Sequence, residues 1–296
     1  MTFLLRNTVG YTAVLLSLLS TSAFAQLVVE GLQFPVWVER ADQRVPLAPG
    51  DVVAEGEQLI TGDGGKVWVQ MPDKARVKLG PDATLNVSAV NVTSTDGAQS
   101  ADVLDGALEV IKGAFRYTTG ELSKLWQRDL RIALGNTATI GIRGTDLWGQ
   151  VDGDNQFVVL LEGRISVQPK ALADSLTMQN PLEIYRAGAS TLDSVDMAAV
   201  QALAPITELD SGTGVMRQGG VYQLHLASFS RARQADAMSV RLARAGLPTR
   251  VAQVSVDGQD WFRVSVMSIA SLEDARALRA RLVGQSGVTS AWISRN

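Results

Sequence analysis

One histidine, His225, stands in a chain of 296 residues that contains no cysteine. Those two counts remove much familiar chemistry at once: no thiolate nucleophile, no disulfide and no Cys/His metal cluster can be assembled. Upstream of residue 221 there is no histidine either, so the usual Ser-His or Cys-His pairs of hydrolases cannot form there. Carboxylates remain, and glycoside cleavage needs only two of them at a suitable separation. The acids are spread through the chain as solvating surface, however, and no pair is singled out. Asp152-Gly153-Asp154-Asn155 has the look of a calcium loop, but an EF-hand wants a carboxylate eleven positions after Asp152, where Gly163 stands. A hairpin turn is the better reading of that cluster. The expectation is a protein without catalytic residues, metal or cofactor, whose chemistry is binding. The residues suited to it are Gln223, His225 and Ser228 in Val221-Tyr222-Gln223-Leu224-His225-Leu226-Ala227-Ser228-Phe229, then Trp261 and Arg263, then Trp292. Indole rings stack on the C–H side of sugar rings or on bases, while Arg, His, Gln and Ser hydrogen-bond hydroxyl and amide groups.

The elements that must position them follow from periodicity. From Val221 the pattern predicts strand, helix, strand, strand, helix, strand. Ser230 is placed to cap a helix whose Ala235, Met238, Leu242 and Ala245 recur at spacings of three and four, ended by Gly246 and Pro248. Strands are predicted over 249–256 and 261–267, with Asp257-Gly258 as the turn between them. Ser271 begins a second helix with Asp274 as the far member of a capping box, and that helix buries Ala275, Leu278 and Leu282. Residues 290–294 close the series. This order predicts an α+β split βαβ fold (βαββαβ), a four-stranded antiparallel sheet with both helices on one face. Alternation then turns Tyr222, Leu224, Leu226, Phe262, Val264, Val266, Ala291 and Ile293 toward the helices. It turns Gln223, His225, Trp261, Arg263, Ser265 and Trp292 toward an open face.

Upstream the texture differs. Between Leu27 and Gln168, short runs such as Val67, Val69, Met71 and Leu85, Val87 alternate with polar residues, and Gly62-Asp63-Gly64-Gly65 and Pro72-Asp73 break them. Period two with frequent turn signals predicts an all-β sandwich or roll. Leu104-Asp105-Gly106-Ala107-Leu108-Glu109-Val110 and Leu161-Glu162-Gly163-Arg164-Ile165-Ser166-Val167 echo one another and are expected to form related hairpins with glycine at positive φ.

Charge separates the two regions. From Arg217 onward there are eleven arginines, five acids and no lysine, a net of +6; with the overall −3 and Arg6 set aside, residues 26–216 carry about −10. Two modules are expected, an all-β domain over 26–195 and an α+β domain over 219–296, with 196–218 as a flexible linker marked by Ser211-Gly212-Thr213-Gly214 and Gly219-Gly220. Residues 1–25 read as a secretory signal peptide: Arg6, an apolar run centred on Ala13-Val14-Leu15-Leu16-Ser17-Leu18-Leu19, then the small-x-small pattern Ala23-Phe24-Ala25. The mature protein is expected in the periplasm, with no lipid-attachment cysteine and no later segment able to span a bilayer.

Two resemblances emerge from these residues. Pro46-Leu47-Ala48-Pro49-Gly50-Asp51 leading to Leu59-Ile60-Thr61-Gly62, then Ile140-Gly141-Ile142-Arg143-Gly144-Thr145-Asp146-Leu147-Trp148, then Val159-Leu160-Leu161-Glu162-Gly163-Arg164-Ile165-Ser166-Val167 make residues 45–168 resemble a FecR-type domain. FecR itself is a transmembrane regulator relaying a periplasmic signal to a sigma factor. Only about eight residues precede the apolar run here, too few for a cytoplasmic domain, so the expectation keeps the extracytoplasmic β-module and drops the sigma-regulator role. Arg143-Gly144-Thr145 is read as structural, with arginine tying a strand end and glycine permitting a bend.

Residues 219–296 resemble a SPOR domain, a peptidoglycan-binding module of bacterial envelope proteins. The match is carried by Tyr222-Gln223-Leu224-His225-Leu226-Ala227-Ser228-Phe229, Ala235, Leu242, Trp261-Phe262-Arg263-Val264-Ser265-Val266, Ala275, Leu282 and Trp292. The resemblance implies that the open sheet face binds glycan strands stripped of stem peptides, as accumulate at the division septum. It carries over Ser228 and Trp292 as matching positions, while His225 stands where the family commonly has glutamine. An imidazole there makes binding sensitive to pH near its ordinary pKa of about 6.5. Three functions stay in contention: a non-catalytic wall-binding protein whose β-module engages another envelope component, an RNA-binding module suggested by exposed aromatics and the +6 charge, and a wall-remodelling enzyme. The signal peptide, and the placement of Arg241, Arg244, Arg276, Arg279 and Arg281 on the helices, speak against nucleic acid.

Overall fold

The computed structural model describes residues 26–94, 102–120, 126–285 and 287–295. The expected signal peptide lies outside them. Among the described residues no helix is long and apolar enough to cross a membrane.

The chain is mostly β-sheet. It opens with β1 (Leu27–Gln33), β2 (Val36–Arg40), β3 (Gln43–Pro46) and β4 (Val52–Val53), then β5 (Gln58–Thr61), β6 (Lys66–Gln70), β7 (Arg76–Leu79) and β8 (Thr84–Ser94). Next come β9 (Asp102–Thr118), β10 (Gln127–Leu134), β11 (Ala138–Asp152) and β12 (Asn155–Pro169), followed by the short β13 (Leu176–Met178), β14 (Glu183–Arg186) and β15 (Asp193–Ser194). The long strands change partners along their length. The first part of β9 pairs with β8 and β10 and its end with β7 and β11. β11 likewise runs from β10 onto the end of β9, and β12 from β14 onto β13. At these crossings sit Gly113, Gly144 and Gly163 with φ of 94°, 68° and 88°, where a side chain would be strained. A Cβ on Gly163 would lie 2.0 Å from the Gly144 carbonyl oxygen, so the bend in β12 can approach β11 this closely only as glycine. The inner faces bury Leu27, Val69, Leu85, Leu108, Phe115, Tyr117, Ile140 and Val167.

The two echoing segments are not hairpins. Gly106 lies inside β9 with Leu130 against its α-carbon, and Gly163 marks the bend in β12. What they share is a glycine where backbone or side chain approaches too closely for a Cβ. Asp152-Gly153-Asp154-Asn155 does make the β11–β12 turn, with Gly153 at φ 53°.

The C-terminal module comprises β17 (Tyr222–Phe229), α2 (Ala232–Arg244), β18 (Arg250–Val256), β19 (Gln259–Ile269), α3 (Leu272–Leu282) and β20 (Trp292–Arg295), after α1 (Met197–Thr207) and β16 (Met216–Arg217). Its strands lie in the order β18-β19-β17-β20, all antiparallel. Leu224, Leu226, Val264 and Val266 pack with Ala235, Met238 and Leu242 of α2 and with Ala275, Leu278 and Leu282 of α3. Asp257 and Gly258 take φ of 52° and 78°, the left-handed pair a two-residue hairpin requires. Ser271 caps α3, accepting from Asp274 N at 3.0 Å. Ser230 does not cap α2: Arg231 holds that position without a side-chain bond.

The segment expected to be a flexible joint is ordered. Lys66 Nζ donates to the carbonyls of Pro205 and Glu208 at 2.9 and 2.8 Å and pairs with Asp210, while Trp68 Nε1 donates to Thr207 O. Met216 pairs with Leu32 of β1 on one side and Ile269 of β19 on the other, so β16 joins the two modules' ladders. The buried carboxylate of Asp274, 1% exposed, accepts from the backbone N–H groups of Gly212, Gly214 and Val215. Gly212 and Gly214 take φ of 81° and 103°, so these glycines serve tight turns around that carboxylate rather than slack. Elsewhere Trp37 Nε1 donates to Ala243 O, and the Arg281 guanidinium lies 3.9 Å over the Phe34 ring. Arg281, on α3, is therefore a contact between modules.

Candidate glycan-binding face

The face of the C-terminal sheet opposite α2 and α3 gathers four of the six expected residues. His225 pairs across the strands with Ser265 on one side and Trp292 on the other. Its Nδ1 lies 2.8 Å from Ser265 Oγ and its Nε2 2.8 Å from Ser294 Oγ. The Trp292 ring centroid is 5.0 Å from that of His225, tilted by 34°. The Arg263 guanidinium lies 5.1 Å from the Trp292 centroid, and its Nε donates to Ser228 Oγ at 3.3 Å. The indole is thus held from two sides and remains 41% exposed. Gln223 sits opposite Ser294 and Trp261 opposite Val254. Both flank the cluster without a hydrogen bond or ring contact to it among the described residues.

Strict alternation would turn Ser228 to the helix side with Leu224 and Leu226. The β17–β19 register shifts between His225/Ser265 and Ala227/Val264. Leu226 is the extra residue of this bulge; it and Ala227 both meet the core, and Ser228 emerges beside Arg263. A bulge flips side-chain parity downstream of itself.

His225 differs from its expected state. It is only 7% exposed, covered from the solvent side by Trp292 and satisfied at both ring nitrogens by serine hydroxyls. It is therefore a support beneath the indole rather than a free imidazole on the surface. Ser294 was not singled out from sequence, although its spacing of two from Trp292 places it on the same face.

Burial, and then the positive charge of Arg263, push the His225 pKa below its ordinary value. The unfolded chain takes up this proton near pH 6.5 and the folded chain only at lower pH, so the fold loses stability as pH falls from about 6.5 toward the lower folded value. We expect the urea midpoint to drop between pH 7.5 and 5.5, and His225→Gln to remove part of that drop. An identical pH dependence in both proteins would refute the assignment.

Among the described residues no group of three or more His, Asp or Glu side chains is placed to hold a metal ion.

Comparison with known proteins gives two family matches. The SPOR domain model matches residues 218–295 and the FecR protein model residues 57–166. The chain carries a FecR segment followed by a SPOR domain. No curated protein matches it. Two crystal structures of a protein from Parabacteroides distasonis assigned as an anti-sigma factor align at 13% and 14% identity, each with a TM-score of 0.36 and each covering 49% of this chain. The chain spans 63% and 62% of their lengths.

Proposed function

We propose that this chain, a FecR segment followed by a SPOR domain, is a non-catalytic periplasmic protein of the cell envelope that binds peptidoglycan through residues 219–296. The observation that carries the reading is the Trp292 indole, exposed and held in place by Arg263 and His225. An aromatic ring fixed before binding loses little side-chain entropy when a sugar ring stacks on it. Ser228 and Arg263 beside it, with Gln223 and Trp261 on either flank, offer donors and a second ring for hydroxyl and acetamido groups. The strand-helix-strand-strand-helix-strand order with β17 and β19 central supports a split βαβ sandwich with one face free for this task.

Where the family commonly presents glutamine, this chain has an imidazole whose two nitrogens already bond serines. Recognition therefore falls to Trp292, Arg263 and Ser228, with His225 setting the height and tilt of the indole. The preferred substrate is glycan lacking stem peptides, whose sugar faces are free to lie along the sheet. Residues 26–195 serve as a binding or scaffold module for another envelope component, and residues 196–218 connect the two. Enrichment at the division septum follows if denuded glycan is the target.

Co-sedimentation with purified sacculi tests this. Binding should rise several-fold after amidase treatment removes the stem peptides. Binding that ignores the treatment, or stronger retention by single-stranded RNA in the same assay, would overturn the reading.

A further inference from the structure

The open face of the C-terminal sheet carries two arginines and no acid. The register pairs Arg250 with Ser265 and Ala252 with Arg263, so both arginines stand on the side that holds His225 and Trp292. As diagonal neighbours on adjacent strands their β-carbons lie about 7–8 Å apart. The five acids of residues 219–296 are all placed elsewhere. Asp236 lies on α2, and Glu273 and Asp274 on α3, behind the other side of the sheet. Asp260 pairs with Ser255, in the opposite parity to Trp261 and Arg263, and accepts from Gln253 at 2.7 Å. Asp257 occupies the hairpin turn beyond Val256. Among the described residues neither Arg250 nor Arg263 makes an ion pair. Two guanidinium groups this close repel one another until an anion joins them.

Arg263 is also held ready. Its Nε is engaged by Ser228 Oγ, and its guanidinium carbon lies 5.1 Å from the Trp292 ring centroid. Nη1 and Nη2 have no acceptor in the described chain and are not enclosed, so they meet the solvent beside the indole. Arg250 is exposed. A fixed guanidinium with two free amino groups matches the geometry of a carboxylate.

Hydrolysis of the amide between muramic acid and its stem peptide changes a glycan in two ways. It clears bulk from the strand, and it turns a neutral amide into a lactyl carboxylate, the amine leaving with the peptide. We propose that Arg263, with Arg250 as a second cation, binds this lactyl carboxylate, so that the face selects stripped glycan by its charge and not by clearance alone. The assignment rests on the glycan-binding reading given above and names the feature of the glycan that is read. A sugar ring stacked on the exposed part of the indole carries its lactyl group to the side where the Arg263 donors are free.

The test is calorimetric titration of residues 26–296 at pH 7 with three soluble glycans. These are strands stripped by amidase, the same strands with their carboxylates converted to carboxamides, and strands released by endopeptidase that keep their stem peptides. The stripped acid strands should bind at least tenfold more tightly than the carboxamide strands, as expected for one charge-assisted contact. Arg263→Gln should reduce that ratio to about threefold or less, and Arg263→Lys should keep part of it. Loss of support for Trp292 would instead weaken acid and carboxamide strands alike and leave the ratio standing. Arg250→Gln, at an exposed position without partners, should lower the ratio by a smaller factor. Equal binding of acid and carboxamide strands, or a ratio indifferent to Arg263→Gln, would overturn the carboxylate assignment. If both still bound more tightly than peptide-bearing strands, the glycan-binding reading would survive that loss. Equal binding of all three glycans would sink the reading itself, and tighter binding of oligouridylate than of the acid strands would assign the two arginines to phosphate.

Discussion

Trp292→Ala is expected to weaken binding to amidase-treated sacculi by about ten- to a hundredfold, with little change in the thermal midpoint. Stacking of a ring on an exposed aromatic contributes about 1–3 kcal/mol, by analogy with base stacking, and about 1.4 kcal/mol is a factor of ten in affinity. The indole sits outside the sheet, 41% exposed, so its removal opens no cavity in the layer of Leu224, Leu226, Val264 and Val266. It does uncover His225, whose hydrogen bonds to Ser265 and Ser294 do not depend on the indole. Trp292→Phe should recover part of the affinity, since a smaller ring can still stack on Arg263. Sacculus binding by a folded Trp292→Ala protein at the level of the parent would remove the basis for placing glycan on this face.

Asp274→Ala is expected to give the largest loss of stability, about 3–5 kcal/mol, as for removal of one member of a buried charged network. The carboxylate accepts from Gly212, Gly214 and Val215 N–H and from the Ser271 hydroxyl. Truncation leaves buried donors unmet, and each costs about 1–3 kcal/mol before any relaxation. For a module of this size about 3 kcal/mol lowers the thermal midpoint by roughly 12 °C or more. Asp274→Asn keeps one acceptor oxygen and should lose less. A midpoint within about 3 °C of the parent for Asp274→Ala would show that the turn at 212–215 is held by other means.

The C-terminal elements were legible because each local signal agrees with the tertiary arrangement. Asp257-Gly258 between two alternating runs, Ala235, Met238 and Leu242 on one helical stripe, and Ser271 with Asp274 all name their own geometry. What alternation could not show was the bulge at Leu226, since an extra residue leaves no mark in a run of mixed side chains. Ser228 reached the right face through that bulge. The burial of His225 was equally hidden, because it depends on Trp292 from a strand almost seventy residues away. In the N-terminal module, Gly106 and Gly163 looked like turns because glycine marks close approach as readily as reversal. The joint was misread for the same reason: glycines that wrap a distant carboxylate look like slack until that carboxylate is known to be Asp274.

The shared strand β16 bears on how this protein can be dissected. A truncation begun at residue 219, where sequence similarity invites the cut, deletes Gly212, Gly214 and Val215 while keeping the buried Asp274, and it removes Met216 from the flank of Ile269. Such a fragment would enter a localisation experiment already crippled, and a diffuse signal from it would report misfolding rather than indifference to the wall. Starting at residue 208 keeps the Asp274 partners and β16 while discarding α1, and gives a reporter whose failure to find the septum would be informative.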